Sequence, residues 1–218
     1  MISPDAHPKA CPAQSWTHLA RRIRVPLGFI TAAVYLVEVA LRPPHPLAIA
    51  WSLALVLPGL AFRAAASATI KKNRELTVTG PYAYTRNPLY LGSVFIAAGF
   101  ALALLSWPVT LLIAAGFAAI YIPVIASEER FLRSAFPVYD DYCRRVPRLI
   151  PRVTRPKSHS GIETPPISQP GTTVPAAGFS LALYLEHREY NSALGAALLY
   201  LSLLFLRPVV ETLLHLPG

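Results

Sequence analysis

Charge is scarce in this chain: Asp, Glu, Lys and Arg make up 14% of its 218 residues, against 54% hydrophobic. That balance lies far from the average soluble domain and excludes a fully solvated globule. Acidic residues are rarer still, eleven against twenty basic. Cysteine is nearly absent, and Cys11 and Cys143 both fall on the side assigned below to the cytoplasm, so no disulfide is expected. None of the eleven glycines stands at GxG spacing, which argues against a soluble dinucleotide-binding fold. The six histidines are scattered, so no metal site is expected. No apolar run precedes the basic cluster near residue 22, and the first residues therefore do not read as a cleaved secretion signal.

What the chain has instead is long apolar runs. Residues 26–41, 46–62, 89–105 and 108–126 carry almost no charge, and a weaker run at 191–206 continues past Arg207 toward 216. A run of about seventeen residues makes a helix about 26 Å long, slightly thin for a hydrocarbon core of about 30 Å. The expected fold is an all-α integral membrane protein of about five transmembrane helices. Ser106 to Pro108 leave room only for a tight helical hairpin between the third and fourth, and Pro58-Gly59 should kink the second.

With the N-terminus in the cytoplasm, every basic residue except Arg42 and Arg207 falls inside. The positive-inside rule explains that pattern in a bacterial-type inner membrane without nucleic acid. Glu38, within the first run, is expected to reach the outer interface near Arg42, four residues on. The domain division follows: a cytoplasmic segment 1–25, a membrane core 26–155, a Pro/Ser/Thr/Gly-rich linker 156–177 and a membrane-associated segment 178–218.

Three polar clusters interrupt the apolar chain. In GPYAYTRNPLYLG (80–92), Asn87 is placed to cap a helix with Pro88 at its first position. The amides of Leu89 and Tyr90 would then suit a carboxylate or phosphate, although a capped helix with interfacial tyrosines accounts for the same residues. In SEERFL (127–132), Glu128 and Glu129 stand where the fourth run ends, a place where the helix dipole disfavours them. Either Arg133 pairs with Glu129 across one turn, or a glutamate receives a cationic ligand. In FPVYDDYCRRVPRLIPR (136–152), the spacing of Phe136, Tyr139, Tyr142, Val146 and Leu149 predicts an amphipathic helix on the membrane surface, with Arg144, Arg145 and Arg148 toward anionic headgroups.

Taken in order over residues 71–151, the clusters resemble the isoprenylcysteine carboxyl methyltransferase family and its phospholipid methyltransferase relatives. The resemblance implies an S-adenosylmethionine pocket on the cytoplasmic side, and a lipophilic acceptor that enters from the bilayer. By position it implies cofactor binding by Arg74, Glu75, Leu76, Thr77, Tyr82, Asn87, Pro88, Leu89, Tyr90, Glu128 and Glu129, with Glu128 and Tyr90 nearest the chemistry. Asn87 stands where the family has histidine, so imidazole basicity is absent. The arginine that eukaryotic members place just before the glutamate pair has no match in IPVIASEE (122–129). A prenylated protein C-terminus is therefore not the expected acceptor.

Methyl transfer needs positioning and exclusion of water above all. A carboxylate acceptor requires no base, whereas an amine requires one, and Glu128, Glu129 and Tyr90 are the candidates. Two alternatives remain open on the sequence. One is a membrane reductase using NADPH, since membrane sterol reductases share this C-terminal architecture. The other is a non-catalytic scaffold or transporter, against which stands the lack, for Glu38, of a matched basic partner or half-helix pair of the kind transport sites use.

Overall fold

Pro46 begins the first long helix because its fixed φ suits a first helical turn and its missing N–H is not needed there. The preceding His45 accepts the Leu47 amide through Nδ1 at 3.3 Å. A computed structural model of the chain describes residues 30–70, 76–152 and 179–214. Among them the regular structure is entirely helical: α1 (Ile30–Leu41), α2 (Pro46–Ser67), a single 3₁₀ turn (Gly80–Ala83), α3 (Pro88–Leu104), α4 (Trp107–Ala135), α5 (Tyr139–Arg145), α6 (Leu181–Glu186) and α7 (Tyr190–Leu214). Helices α2, α4 and α7 are long and apolar enough to cross a membrane, and α1 and α3 are shorter apolar helices. The fold is thus that of an all-helical membrane protein.

The hairpin between α3 and α4 is as tight as expected. Leu105 takes the left-handed conformation, φ 49°, and Ser106 precedes the first residue of α4. Two boundaries differ from the sequence reading. Helix α2 continues to Ser67 through Ala-rich sequence, which places Arg63 inside a helix rather than in a loop. Helix α4 continues to Ala135, so Glu128 and Glu129 lie two turns before its end and escape the unfavourable pole of the dipole. The end of the uncharged run and the end of the helix do not coincide.

Helices α2 and α3 lie against each other through glycine. A methyl group added to Gly92 would stand 2.6 Å from the Gly59 carbonyl oxygen, and one on Gly99 would stand 2.5 Å from Val56. Only hydrogen fits there, the pattern by which membrane helices gain close van der Waals contact. Tyr35 and Val39 of α1, Phe100 and Ala103 of α3, and Ala196 and Leu203 of α7 join Val56 in one core. The Tyr35 hydroxyl donates to the Leu199 carbonyl at 3.0 Å, and the Ser52 and Tyr200 hydroxyls meet at 2.8 Å. Helix α7 runs unbroken through Arg207 and Pro208, and Arg207 pairs with Glu211 at 2.6 Å. Glu38 meets Arg42 at 3.4 Å, as its spacing suggested.

The aromatic face of the 136–152 segment does not lie on lipid. Phe136, Tyr139, Tyr142 and Val146 are buried against Leu76 and Val78. Of the residues whose spacing predicts the helix, only Tyr139 and Tyr142 lie in it: α5 is shorter than expected, with Phe136, Val146 and Leu149 outside it, and its apolar face is covered by the chain itself.

Candidate functional site

Two strips of chain meet beside the start of α3. Arg86 N–H donates to the Pro147 carbonyl at 2.9 Å, and Arg152 N–H to the Tyr84 carbonyl at 3.0 Å. The Thr85 hydroxyl reaches the carbonyls of Arg148 and Leu149, at 3.2 and 3.1 Å. The buried Tyr142 hydroxyl donates to the Tyr82 carbonyl at 2.7 Å. Asn87 occupies the position before Pro88, yet its side chain does not cap α3; its amide donates instead to the Arg148 carbonyl at 3.0 Å. The expected cap is thereby replaced by a stitch between the two strips.

Glu129 is the anchor of this arrangement. It is 3% exposed, its carboxylate accepts from Arg148 Nε at 2.9 Å and from Arg148 Nη2, and it forms an ion pair with Arg86 Nη1 at 3.2 Å. That hydrogen bond holds the Arg148 guanidinium protonated above its ordinary range. Arg133, the neighbour expected to pair with Glu129, turns to Asp140 at 3.0 Å. Glu128 is different: exposed, with one oxygen accepting the Tyr90 hydroxyl at 2.7 Å. Neighbouring carboxylates therefore have separate environments, Glu129 closed around two arginines and Glu128 open to a ligand.

Tyr82 lies close to this opening. Its hydroxyl is buried without a hydrogen-bond partner among the described residues. Burial first, then the charges of Glu128 and Glu189, push its pKa well above the ordinary tyrosine value. A buried orphan hydroxyl costs free energy that a bound polar ligand would recover. Of the other expected residues, Leu76 and Pro88 are buried, Thr77 and Leu89 half-buried, and the Leu89 carbonyl faces Arg63 at 3.4 Å. Arg74 and Glu75 lie outside the described residues.

The tyrosine pair leads to a second space. The Tyr90 ring meets Tyr121 edge-on, with centroids 5.1 Å apart, and Tyr121 stacks on Phe117 at 4.2 Å. Tyr121 and Phe117 line a cavity of about 570 Å³ walled by α1, α3, α4 and α7. The lining is mostly apolar; Arg63, Ser93, Asn191 and Ser192 gather into one polar end, and Thr31 and Tyr35 add hydroxyls from α1. Arg63 donates through Nη1 to Ser93, through Nε to Ser192 at 3.1 Å, and through Nη2 to Glu189 at 2.9 Å. Sequence reading missed this network. Its one signal was the Ala-rich run LAFRAAAS, which keeps a helix going around an arginine.

Comparison with known proteins bears on one part of this arrangement. Residues 59–138 match the family model for phospholipid methyltransferase. Over 84 residues the chain is 40% identical to the cobalt-zinc-cadmium resistance protein CzcN of Cupriavidus metallidurans, covering 38% of this chain and 39% of that protein. It is 38% identical over 90 residues to the nickel-cobalt-cadmium resistance protein NccN of Alcaligenes xylosoxydans xylosoxydans, covering 41% of this chain and 42% of that protein. The matched stretch thus spans about two fifths of each relative. No solved structure matches the chain significantly. Glu128, Glu129, Tyr90 and Arg63 fall within the matched residues; Arg148 and all of α7 fall outside them.

Proposed function

We propose that this protein, whose residues 59–138 match the family model for phospholipid methyltransferase, is an integral membrane methyltransferase that uses S-adenosylmethionine and acts on a lipophilic acceptor, a carboxylate or an amine, arriving from the bilayer. The observation that carries the reading is the Tyr90–Glu128 pair, with the orphan Tyr82 hydroxyl on one side and, through Tyr121, an apolar cavity on the other. In the proposed topology α1, α2, α3, α4 and α7 are the five spans, with the loop-bearing end and the N-terminus in the cytoplasm. Residues 26–155 are its core, 156–177 a linker, and 178–218 the returning segment.

The donor set fits the cofactor. Glu128 offers an exposed carboxylate to an ammonium, Tyr82 a buried hydroxyl to a polar group, and the start of α3, which no side chain caps, a positive pole to a carboxylate. Arg74, Glu75, Leu76, Thr77, Asn87, Pro88 and Leu89 would complete the pocket by position. Bound there, S-adenosylmethionine supplies an electrophilic methyl group on a sulfonium. The chain's own part is to orient and exclude. Tyr90 holds one Glu128 oxygen, and the Tyr90 and Tyr121 rings offer π faces to positive charge. The apolar walls keep water from competing as nucleophile. An amine acceptor would give its proton to the Glu128 carboxylate, whereas a carboxylate acceptor has none to lose.

Calorimetry of S-adenosylmethionine and of its demethylated product on detergent-solubilised protein tests the assignment. Binding by the wild type that falls at least tenfold, roughly 1.4 kcal/mol, in Glu128→Gln and in Tyr90→Ala is expected. Unchanged affinity in Glu128→Gln, or binding of NADPH in its place, would refute the assignment.

A further inference from the structure

Helix α7 lies beyond the family match, yet it forms a wall of the cavity through Asn191, Ser192, Gly195, Ala196 and Leu199. It is held to α2 by the Arg63–Glu189 pair, in which both groups are largely withdrawn from solvent. Helix α6 adds to the attachment, with Ser180 N–H donating to the Ala68 carbonyl at 3.1 Å and the His187 ring meeting the Ser67 carbonyl at 3.0 Å.

Two features of this wall define a ligand. The first is Gly195: a methyl group built on it meets nothing within 4 Å, so the glycine leaves empty space on the cavity side of a helix. Glycine inside a helix costs about 0.5–1 kcal/mol relative to alanine, and no packing at Gly195 offsets that cost. The second is the polar end, where Arg63, the one charged residue among the described lining, pairs with Glu189 just beyond the lining, and Ser93 and Ser192 complete their hydrogen bonds. A charged head placed there would add an unmatched charge beside low-dielectric walls, which is expensive.

We propose that α7 sets acceptor specificity: the cavity takes a single-chain amphiphile whose apolar body fills the space left by Gly195 and whose small uncharged head hydrogen-bonds at the Arg63–Glu189–Ser192 cluster. The proposal rests on the methyltransferase reading: of its two acceptors it favours the amine, in neutral form, over the carboxylate, and it adds a hydroxyl, whose proton would pass to the Glu128 carboxylate as the amine's would. The volume lies within the range of sites that enclose a drug-sized molecule.

The test uses the full chain in detergent and a long-chain alcohol carrying a diazirine in its tail. Photolabelling sites are mapped by peptide mass spectrometry, with hexadecanol or palmitate as competitor at about pH 9, above the ordinary carboxylate range. Labelling of the α4 and α7 wall residues is expected, displaced by hexadecanol roughly tenfold more effectively than by palmitate. Gly195→Phe should abolish it and Gly195→Ala should retain it. Glu189→Gln, which leaves the Arg63 charge unmatched, should reverse the preference toward palmitate. Labelling that Gly195→Phe leaves intact, or a wild-type preference for palmitate, overturns the proposal. S-Adenosylmethionine binding, measured alongside, separates the two failures. Loss of cofactor binding in the wild type with Gly195-dependent labelling would refute the methyltransferase reading alone; cofactor binding with Gly195-independent labelling would refute this inference alone.

Discussion

Helices α2 and α3 are packed until only hydrogen fits at Gly59, Gly92 and Gly99, whereas α4 and α7, built of similarly apolar residues, stand apart and leave a cavity. The contrast shows what closes a helix pair in lipid. Apolar surface alone does not, because the tails are as apolar as leucine; small residues that interlock and polar groups that meet across the seam do. The α2–α3 seam has both, with three glycines and the Arg63–Ser93 bond. Between α4 and α7 neither is present: Gly116 and Gly195 both face the cavity, and the polar groups of α7 are spent on α1 and α2. One half of the molecule is specified down to single atoms, and the other keeps a vacancy that a ligand can fill.

The sharpest way to break that contrast is to unpick the knit side at Glu129. Removing its carboxylate leaves the Arg86 and Arg148 guanidinium groups without their anion. Glu129→Ala is expected to cost about 3–5 kcal/mol, the usual loss when one partner of a buried ion pair is deleted. Thermal unfolding in detergent would show it as a large drop in Tm, while Glu128→Ala, at an exposed site, should leave Tm nearly unchanged. Equal effects of the two would erase the distinction between the closed and the open carboxylate.

A smaller loss is expected at the seam. Gly92→Ala sets a methyl group against the Gly59 carbonyl oxygen and the Arg63 stem, and backbone cannot turn aside as a side-chain tip can. Overpacking of this kind costs about 1–3 kcal/mol. Weaker again, Tyr142→Phe leaves the Tyr82 carbonyl without its donor, a loss of about 1–3 kcal/mol at a buried site, expected at the low end because only one neutral bond is broken. The same variant has a pH signature. Burial raises the Tyr142 pKa above its ordinary value of 10.0, so folding favours the protonated form. That stability is fully present below about pH 10 and is lost as pH rises toward the higher folded value. Unfolding curves of Tyr142→Phe should therefore show less alkaline destabilisation than those of the wild type.

The apolar helices were legible in the sequence because lipid demands long uncharged runs, and Pro88 marks the start of α3, whereas the glycine seam between α2 and α3 was not. Burial partners were not legible. The spacing of Phe136, Tyr139 and Tyr142 specified a helix and an apolar face, but nothing local says that Leu76 and Val78, some sixty residues earlier, cover that face rather than lipid. The Arg63 network leaves no local pattern, because its partner Glu189 lies 126 residues away. The neighbours of Asn87 favour a cap through its Oδ1, but its Nδ2 donates to the Arg148 carbonyl, which turns the side chain away from the start of α3. Glu128 and Glu129 were both candidates, and only the three-dimensional arrangement separates them, since helix phase turns one toward the two arginines and the other toward Tyr90.

The smallest expected effect has the opposite sign and bears directly on the open half. Gly195→Ala adds a methyl group that meets no neighbour, so it carries no steric penalty, while it restricts the unfolded chain and removes a poor helix former from the middle of α7. A gain of about 0.5–1 kcal/mol is expected, read as a modest rise in Tm. The same substitution at Gly92 should lower Tm, so the two glycines, both inside apolar helices, should move stability in opposite directions. If Gly195→Ala instead destabilised the protein, α4 and α7 would have to close upon each other, and the cavity would cease to be a property of the folded chain. A rise with unchanged S-adenosylmethionine affinity would mean that this position has been kept sub-optimal for folding, as expected where a helix leaves room for a ligand.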